Sequence, residues 1–300
     1  MKNLLLALLV PVLAATANAQ EFQAETYFTE PDGANFRGFI TAATDTQIRY
    51  KLTSVSTDFN DAKISDFTTI FVVRPEQYSE AMDLYEAGKY KEAQEKFKAY
   101  REFSKPIAPL KGNYHTLSAF HEMECMRHLG DLEGLAAALK DFAKAPLTNE
   151  YHLRQLDLYT MWDAVRDESW ERVLSIASER DSEALPGYQR AQIGYCKGLA
   201  LQKLDRGLEA LTQYAIATTA DAGASNLLAN KAALNSLRIY LDNEELKFAM
   251  SVWGTPDESK NSNGRALLIE ANALAGEYEG LLGLGDPLPG DFKPFLKYSN

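Results

Sequence analysis

Three residues that can bind a transition metal stand at helical spacing in AFHEMECMRHLG (119–130). His121, Cys125 and His128 occupy positions i, i+4 and i+7, with Glu124 between them. Such positions share one face of a helix, and imidazole and thiolate are ligands that zinc prefers. One helix rarely supplies three ligands of a tetrahedral site, and a cationic His128 is favoured in the last turn of a helix anyway. We therefore expect structural roles and keep metal binding as the less favoured hypothesis.

No other pattern predicts a catalytic centre. The sequence lacks a Gly-x-Ser-x-Gly nucleophile elbow, a His-Glu-x-x-His zinc helix, a phosphate-binding loop and a Cys-x-x-Cys pair. Charges of both signs alternate along residues 86–102, which is typical of a solvated helix face rather than an acid/base pair. We expect a protein without enzymatic activity, cofactor or bound metal.

The first residues have the composition of an export signal. Lys2 precedes the apolar run 4–15, and Ala-Asn-Ala (17–19) fits the small-residue rule for cleavage. The run is shorter than the ~20 residues that cross a bilayer, Pro11 interrupts it, and no cysteine follows directly to carry a lipid. We expect residues 1–19 to be a signal peptide, the protein to be periplasmic or secreted, and no membrane span to follow.

The charge of the chain narrows the class of partner. The formal net charge is −11, and it becomes −12 when Lys2 is removed. An acidic chain of this kind is a poor ligand for nucleic acid or anionic lipid. The sequence therefore predicts a protein or peptide partner and no nucleic acid, and it does not set the oligomeric state.

Residues 20–74 predict a small β module. Three segments are rich in β-branched and aromatic residues and partly alternate: 36–43, 46–52 and 63–73. The motifs GFI (38–40) and IRY (48–50) resemble those of SH3-like and Sm-like barrels. A module of this size buries little apolar surface alone, so we expect it to dock on the region that follows.

From residue 75 onward, helical patterns alternate with short polar turns. In LYEAGKYKEAQEKFKAY (84–100), Gly88 suits the left-handed turn after a helix, Ala93 is small where two helices cross, and Phe97 lies one turn on. The order Gly-x-Tyr-x-x-Ala-x-x-x-Phe resembles the core of the tetratricopeptide repeat (TPR). The resemblance implies stacked helix pairs, because one pair cannot bury its own apolar face.

Weaker copies of this pattern continue to about residue 285. Their predicted turns fall at 88, 130, 168, 205, 244 and 276, at spacings of 32–42 residues, which exceed the family's repeat. We expect a mainly α fold, an α-α superhelix of about six TPR-like pairs (75–285) followed by a capping tail (286–300). A non-repetitive helical bundle is the alternative. The register places Cys125 and Cys196 two repeats apart, which predicts buried free thiols without a disulfide.

The TPR resemblance also implies a binding surface. In that family, peptide-facing residues come from the first helix of each pair, at fixed distances before the turn. The matching positions in this chain are Tyr78, Met82, Tyr85, Phe120, Arg127, His128, Trp162, Arg166, Tyr195, Lys203 and Arg238. Cations beside aromatic residues suit an extended segment with carboxylates and apolar side chains. Alternatively, these cations only stabilise their own helices, by interacting with the negative end of the helix dipole in the last turn.

Three classes of function remain open. We expect a binding or scaffolding protein of the bacterial cell envelope that holds a peptide or protein segment on a concave helical surface. A structural subunit of an envelope complex is the first alternative. The less favoured one is an enzyme that acts on cell-wall or polysaccharide material.

Overall fold

A computed structural model describes residues 21–180, 184–220 and 226–298. The predicted signal peptide lies outside these described residues. Within them, the chain is mainly helical and begins with a small antiparallel sheet, which confirms the predicted fold class at that level. None of the described helices is long and apolar enough to cross a membrane.

The sheet has five strands among the described residues, and each pairs antiparallel with its neighbours in the order β4-β3-β2-β1-β5. The strands are β1 (Ala24–Thr29), β2 (Asn35–Ala43), β3 (Gln47–Lys51), β4 (Asn60–Lys63) and β5 (Thr69–Val72). Strands β2, β3 and β5 lie in the predicted segments, whereas β1 and β4 were not predicted. The start of the third predicted segment is wrong, because Ile64–Asp66 forms a 3-10 turn before β5.

Eleven α-helices follow in the described ranges, and the first ten form five consecutive pairs joined by short turns. The pairs are α1 (Glu76–Glu86) with α2 (Tyr90–Phe103), α3 (Tyr114–Leu129) with α4 (Leu132–Asp141), α5 (Glu150–Arg166) with α6 (Trp170–Arg180), α7 (Gly187–Lys203) with α8 (Gly207–Thr219), and α9 (Asn226–Asp242) with α10 (Glu244–Val252). The last helix is α11 (Asn263–Glu277).

Left-handed backbone marks the turn inside each of the first four pairs. Gly88, Gly130, Glu168 and Asp205 have φ angles of 73°, 75°, 52° and 59°, at the four positions predicted from the repeat. Glycine adopts this conformation without strain, and aspartate, as at Asp205, adopts it more readily than most other residues. In the fifth pair Asn243 instead caps α10, accepting a hydrogen bond from the Leu246 amide at 2.9 Å.

The predicted sixth turn at residue 276 is wrong. Helix α11 runs through Gly276, and a π-helical turn, Tyr278–Leu282, follows it in place of a second helix. Tyr278 resembles the tyrosine of the repeat motif in sequence, but it is a core residue that extends the buried face of α11. A single glycine costs a helix only about 1 kcal/mol, so its presence alone does not end one.

The C-terminal tail covers the end of the helical array. It forms a 3-10 helix, Gly290–Lys297, whose Phe292 and Phe295 are buried in one cluster with residues of α9, α10 and α11. The side-chain amide of Asn272 donates a hydrogen bond of 2.9 Å to the Phe295 carbonyl. The tail thus contributes the apolar surface that a second helix would have supplied.

The small β module docks on the helical region, as predicted. Phe28 and Ile40 on the inner face of the sheet are fully buried in one cluster with Ile107 and Leu110, which lie between α2 and α3. The small-residue and aromatic positions of the repeat pattern are also buried, Ala93 and Phe97 among them. The sheet therefore shares a core with the segment that joins α2 to α3.

Both cysteines are buried and unbridged, which confirms the prediction. Cys125 lies in the cluster that also holds Phe97, and Cys196 lies in the central core between α5 and α7. Burial raises the pKa of Cys125 to about 12 and raises that of Cys196 as well. Neither thiol is therefore ionised at neutral pH.

Candidate binding cavity on the first helices

A cavity of about 820 Å³ lies along the first helices of consecutive pairs. Its walls come from α3, α5, α7 and the start of α9, with the end of α1 and the segment after α11 at its edges. Aromatic, histidine and charged side chains line it, including Tyr85, Phe120, Arg127, His128, Tyr151 and Tyr188. Sites for small ligands usually occupy about 300–1,000 Å³. The volume is thus sufficient for several side chains of a bound partner.

A buried ion pair lies at the floor of this cavity. Arg127 donates from Nε and Nη2 to the two carboxylate oxygens of Glu124, at 3.0 and 2.8 Å. The hydroxyl of Tyr159 donates to the same carboxylate, and that of Tyr85 does so at 3.4 Å. Burial alone would raise the pKa of Glu124, but the charge and hydrogen bonds of Arg127 lower it to about 2. Both side chains therefore stay charged.

His128 is neutral, which corrects the cationic side chain expected at a helix end. Its Nε2 lies 2.8 Å from Nη2 of Arg127. A guanidinium can only donate, so Nε2 accepts and carries no proton of its own. Burial, and next the charge of Arg127, lower the pKa of His128 to about 3. The ring also stacks on Tyr90, with centroids 4.1 Å apart, so His128 joins the start of α2 to α3.

The residues considered for metal binding have other partners. Nδ1 of His121 lies 2.8 Å from the Leu117 carbonyl and 3.1 Å from the hydroxyl of Tyr78. Cys125 packs in the apolar cluster of α1 to α3. In the ranges that the structure describes, no three His, Cys, Asp or Glu side chains lie close enough to share a metal ion. His121, Cys125 and His128 hold helices together instead.

Four of the eleven predicted binding residues line the cavity: Tyr85, Phe120, Arg127 and His128. Tyr78 and Met82 lie behind them in the apolar cluster of α1 to α3. Trp162 is buried and donates from Nε1 to Oε1 of Gln192 at 2.9 Å. Tyr195 stacks on Trp162, with centroids 6.0 Å apart. These four residues therefore support the wall rather than form it.

The predicted row of four cations does not line the cavity as a row. Of the four predicted cations, Arg127 alone lines the cavity. Arg166 forms ion pairs with Asp163 at 2.9 Å and Asp167 at 2.8 Å. Lys203 and Arg238 are exposed, and Arg238 donates to Oδ1 of Asn235 at 2.7 Å. The carboxylate-binding capacity of the first two arginines is thus taken up largely by residues of the chain itself.

Further cavity residues lie on α5 and α7, at positions that the sequence patterns do not predict. Tyr151, His152, Gln155 and Tyr188 line the cavity from the first turns of these helices. The repeat register predicts binding residues only at fixed distances before each turn. The first turns of these long helices lie farther from the turn than those positions. The ring of His152 lies 4.4 Å from that of Phe120, so it joins the walls from α3 and α5.

A buried pair of amides connects α5 to α7 beside the cavity. Gln155 donates to Gln192 at 3.0 Å, and Gln192 donates back at 3.1 Å. Both side chains are almost fully buried, and Gln192 also accepts the hydrogen bond from Trp162. Glutamines at periodic apolar positions of two helices were the signal in the sequence. Paired in this way, they fix how the two helices meet.

In comparisons with protein-family models, curated proteins and solved structures, the chain matches none of them. Proposals about its function therefore depend on the geometry of the cavity and on the sequence patterns.

Proposed function

We propose that this chain is a non-enzymatic binding or scaffolding protein of the bacterial cell envelope. In this proposal residues 1–19 are a signal peptide that directs it to the periplasm or the medium. The helix pairs are TPR-like repeats, and the N-terminal sheet is an SH3- or Sm-like module. The cavity on the first helices holds a peptide or protein segment.

The observation that carries the proposal is one cavity shared by the first helices of four consecutive pairs, α3 to α9. A surface assembled from equivalent helices of a repeat array is the usual binding face of such folds. Its rim carries Tyr151, which is 42% exposed. Aromatic side chains supply much contact area for little loss of conformational entropy.

The hydrogen bonds at the floor favour binding over acid/base chemistry. Glu124 accepts bonds from Arg127, Tyr85 and Tyr159, and its pKa of about 2 makes it a weak base. An efficient general acid or base has a pKa near the working pH. A floor fixed by these bonds is also rigid, which reduces the entropy lost when a ligand binds.

A structural subunit of an envelope complex is the second candidate, and one feature of the sheet favours it. Tyr27 and Phe71 are 48% and 58% exposed and lie directly opposite each other on β1 and β5. Adjacent exposed aromatic residues on a sheet form a surface on which another subunit could pack. Stoichiometric co-purification that Y27S/F71S abolishes would favour this candidate.

Photo-crosslinking tests the cavity directly. Benzoylphenylalanine replaces Tyr151 at the rim, or Phe248 on α10 in the matched control. Phe248 is 66% exposed and does not line the cavity. After irradiation in an envelope extract, we expect position 151 to crosslink one recurrent peptide segment at least about tenfold more than position 248. Equal labelling from both positions, or none at 151, would contradict the proposal.

A further inference from the structure

An exposed leucine lies at the edge of the cavity, on the segment that follows α11. Leu284 lines the cavity and is 53% exposed. Asn226 and Leu227, at the start of α9, also line it. The walls from α3, α5 and α7 instead present aromatic, histidine, glutamine and charged side chains. The two leucines of the lining therefore lie on α9 and on this segment.

The backbone of Leu284 has a conformation that a bulky side chain disfavours. Its φ angle is 55°, in the left-handed region. Among the described residues, the other non-glycine residues with positive φ are Glu168 and Asp205, which lie at turns inside helix pairs. A bulky apolar residue is an outlier in this region, and such outliers cluster at functional sites. The stability of the backbone therefore does not favour leucine at this position.

Contacts on both sides of Leu284 hold its segment in place. Asn230 of α9 donates from Nδ2 to the Leu282 carbonyl at 2.9 Å and to the hydroxyl of Tyr278 at 3.1 Å. Leu288, four residues after Leu284, is 1% exposed and packs in the core cluster of α9, α10 and α11. The exposed leucine is thus presented in a defined position, which reduces the conformational entropy lost when a ligand binds.

We propose that Leu284 is a contact residue for the captured segment and packs against a large apolar side chain of that segment, such as leucine. This inference rests on the proposed function, because it names the ligand chemistry at one edge of the same cavity. Contact between the two side chains would remove apolar surface of both from water, which favours binding.

The surroundings of Leu284 favour an apolar group over a charged one. Of the described lining residues from α9 and from the segment after α11, Asn226 alone is polar, and none is charged. The charged residues of the lining are Glu86, Glu124 and Arg127, which lie on α1 and α3. A charged side chain placed against Leu284 would lose water without gaining a partner, which is unfavourable.

Peptide libraries that differ at one position test this inference. The probes are N-acetylated, C-amidated nonapeptides on beads, with random flanks and a central Leu or, in the matched set, a central Asn. We expect the protein to bind the Leu library at least about fivefold more than the Asn library. L284N should abolish that preference, and L284M, which keeps an apolar side chain, should retain it. L208N is the matched control and should also retain it, because Leu208 on α8 is likewise 53% exposed and does not line the cavity.

Thermal melts separate contact with the ligand from a role in the fold. Asparagine and glycine adopt left-handed backbone more readily than leucine, so L284N and L284G should melt no lower than the wild type. Both variants should nevertheless lose the Leu preference. A leucine needed only for the fold would give the opposite result, a lower melting temperature and an unchanged preference.

Four results would overturn the inference. These are equal binding of the two libraries, an unchanged Leu preference in L284N, an equal loss of that preference in L208N, and a wild-type dimer that L284N dissociates in analytical ultracentrifugation. The last result would identify a second copy of the chain as the partner of Leu284. In each case a specific crosslink at position 151 would leave the proposed function standing. Loss of both the crosslink and the peptide capture would remove the two together.

Discussion

Nη2 of Arg127 lies 2.8 Å from Nε2 of His128, and this contact sets the protonation state of the histidine. A proton on Nε2 would point at the Arg127 guanidinium, which can only donate hydrogen bonds. A doubly protonated ring would also place a second positive charge beside that of Arg127. The neighbouring Glu124 cannot compensate fully, because Arg127 and Tyr159 already use its oxygens. The floor of the cavity is therefore stable only while His128 is neutral.

The first prediction is that the protein loses stability as the pH falls from 6.5 to 5. The pKa of His128 is about 3 and that of His121 about 4 in the folded protein, against 6.5 unfolded. The unfolded state therefore binds more protons in this window, and stability rises with pH. Each histidine should contribute about 2 kcal/mol of the loss between pH 6.5 and 5.

Urea unfolding at a series of pH values measures this effect, with H128Q as the comparison. Glutamine offers Arg127 an acceptor oxygen but does not titrate. We expect the pH dependence of H128Q to be shallower by about 2 kcal/mol over that window. A slope equal to that of the wild type would show that folding does not lower the pKa of His128.

The second prediction concerns the buried ion pair. E124Q leaves Arg127 charged and without its anion, so we expect it to lower the free energy of unfolding by about 3–5 kcal/mol. The double variant E124Q/R127M removes the unpaired charge and should recover part of that loss. Chemical denaturation of the three proteins measures the coupling. Additive effects in the double variant would mean that the two side chains do not interact.

Sequence patterns predict the local features of this fold better than its contacts at long range. The turns at Gly88 and Gly130 are predicted by glycine, which adopts left-handed backbone without strain. The turns at Glu168 and Asp205 are predicted only by their spacing along the repeat. Arg127 was found by counting back from a turn. The hydrogen bond from Tyr159 to its partner Glu124 depends on how α3 and α5 are placed, which no local pattern encodes. The sequence patterns also do not predict strand β4, because polar residues predominate in it.

The third prediction concerns the amide pair between α5 and α7. Q192L leaves the indole of Trp162 buried without a partner and removes both short hydrogen bonds of Gln155, whose Oε1 keeps only the 3.5 Å bond from Gln189, so it should destabilise the protein by about 1–3 kcal/mol. The variant Q155L/Q192L leaves only the indole unpaired and should be less destabilised than Q192L. Thermal denaturation measures both. If Q155L/Q192L melts below Q192L, the two glutamines do not act as a pair.

The fourth prediction concerns the thiols. Cys125 and Cys196 are buried, unbridged and protonated. We expect both to react with a thiol reagent after unfolding, without prior reduction, and to react slowly in the native protein. Quantification of labelled thiols with and without a reductant measures this. Labelling that needs the reductant would reveal a disulfide.

The last prediction tests the end of the helical array with two glycines. Gly276 lies within α11, and a Cβ added there meets nothing within 4 Å. G276A should therefore stabilise the protein by about 0.5–1 kcal/mol, because alanine favours the helix. Gly194 in α7 is the matched contrast, since its added Cβ would lie 2.8 Å from the Gln213 carbonyl oxygen, a backbone atom that cannot move alone. G194A should destabilise by about 1–3 kcal/mol. Urea unfolding compares the two variants. If G276A is destabilising, residue 276 is a turn as the repeat register predicted, and α11 ends before it.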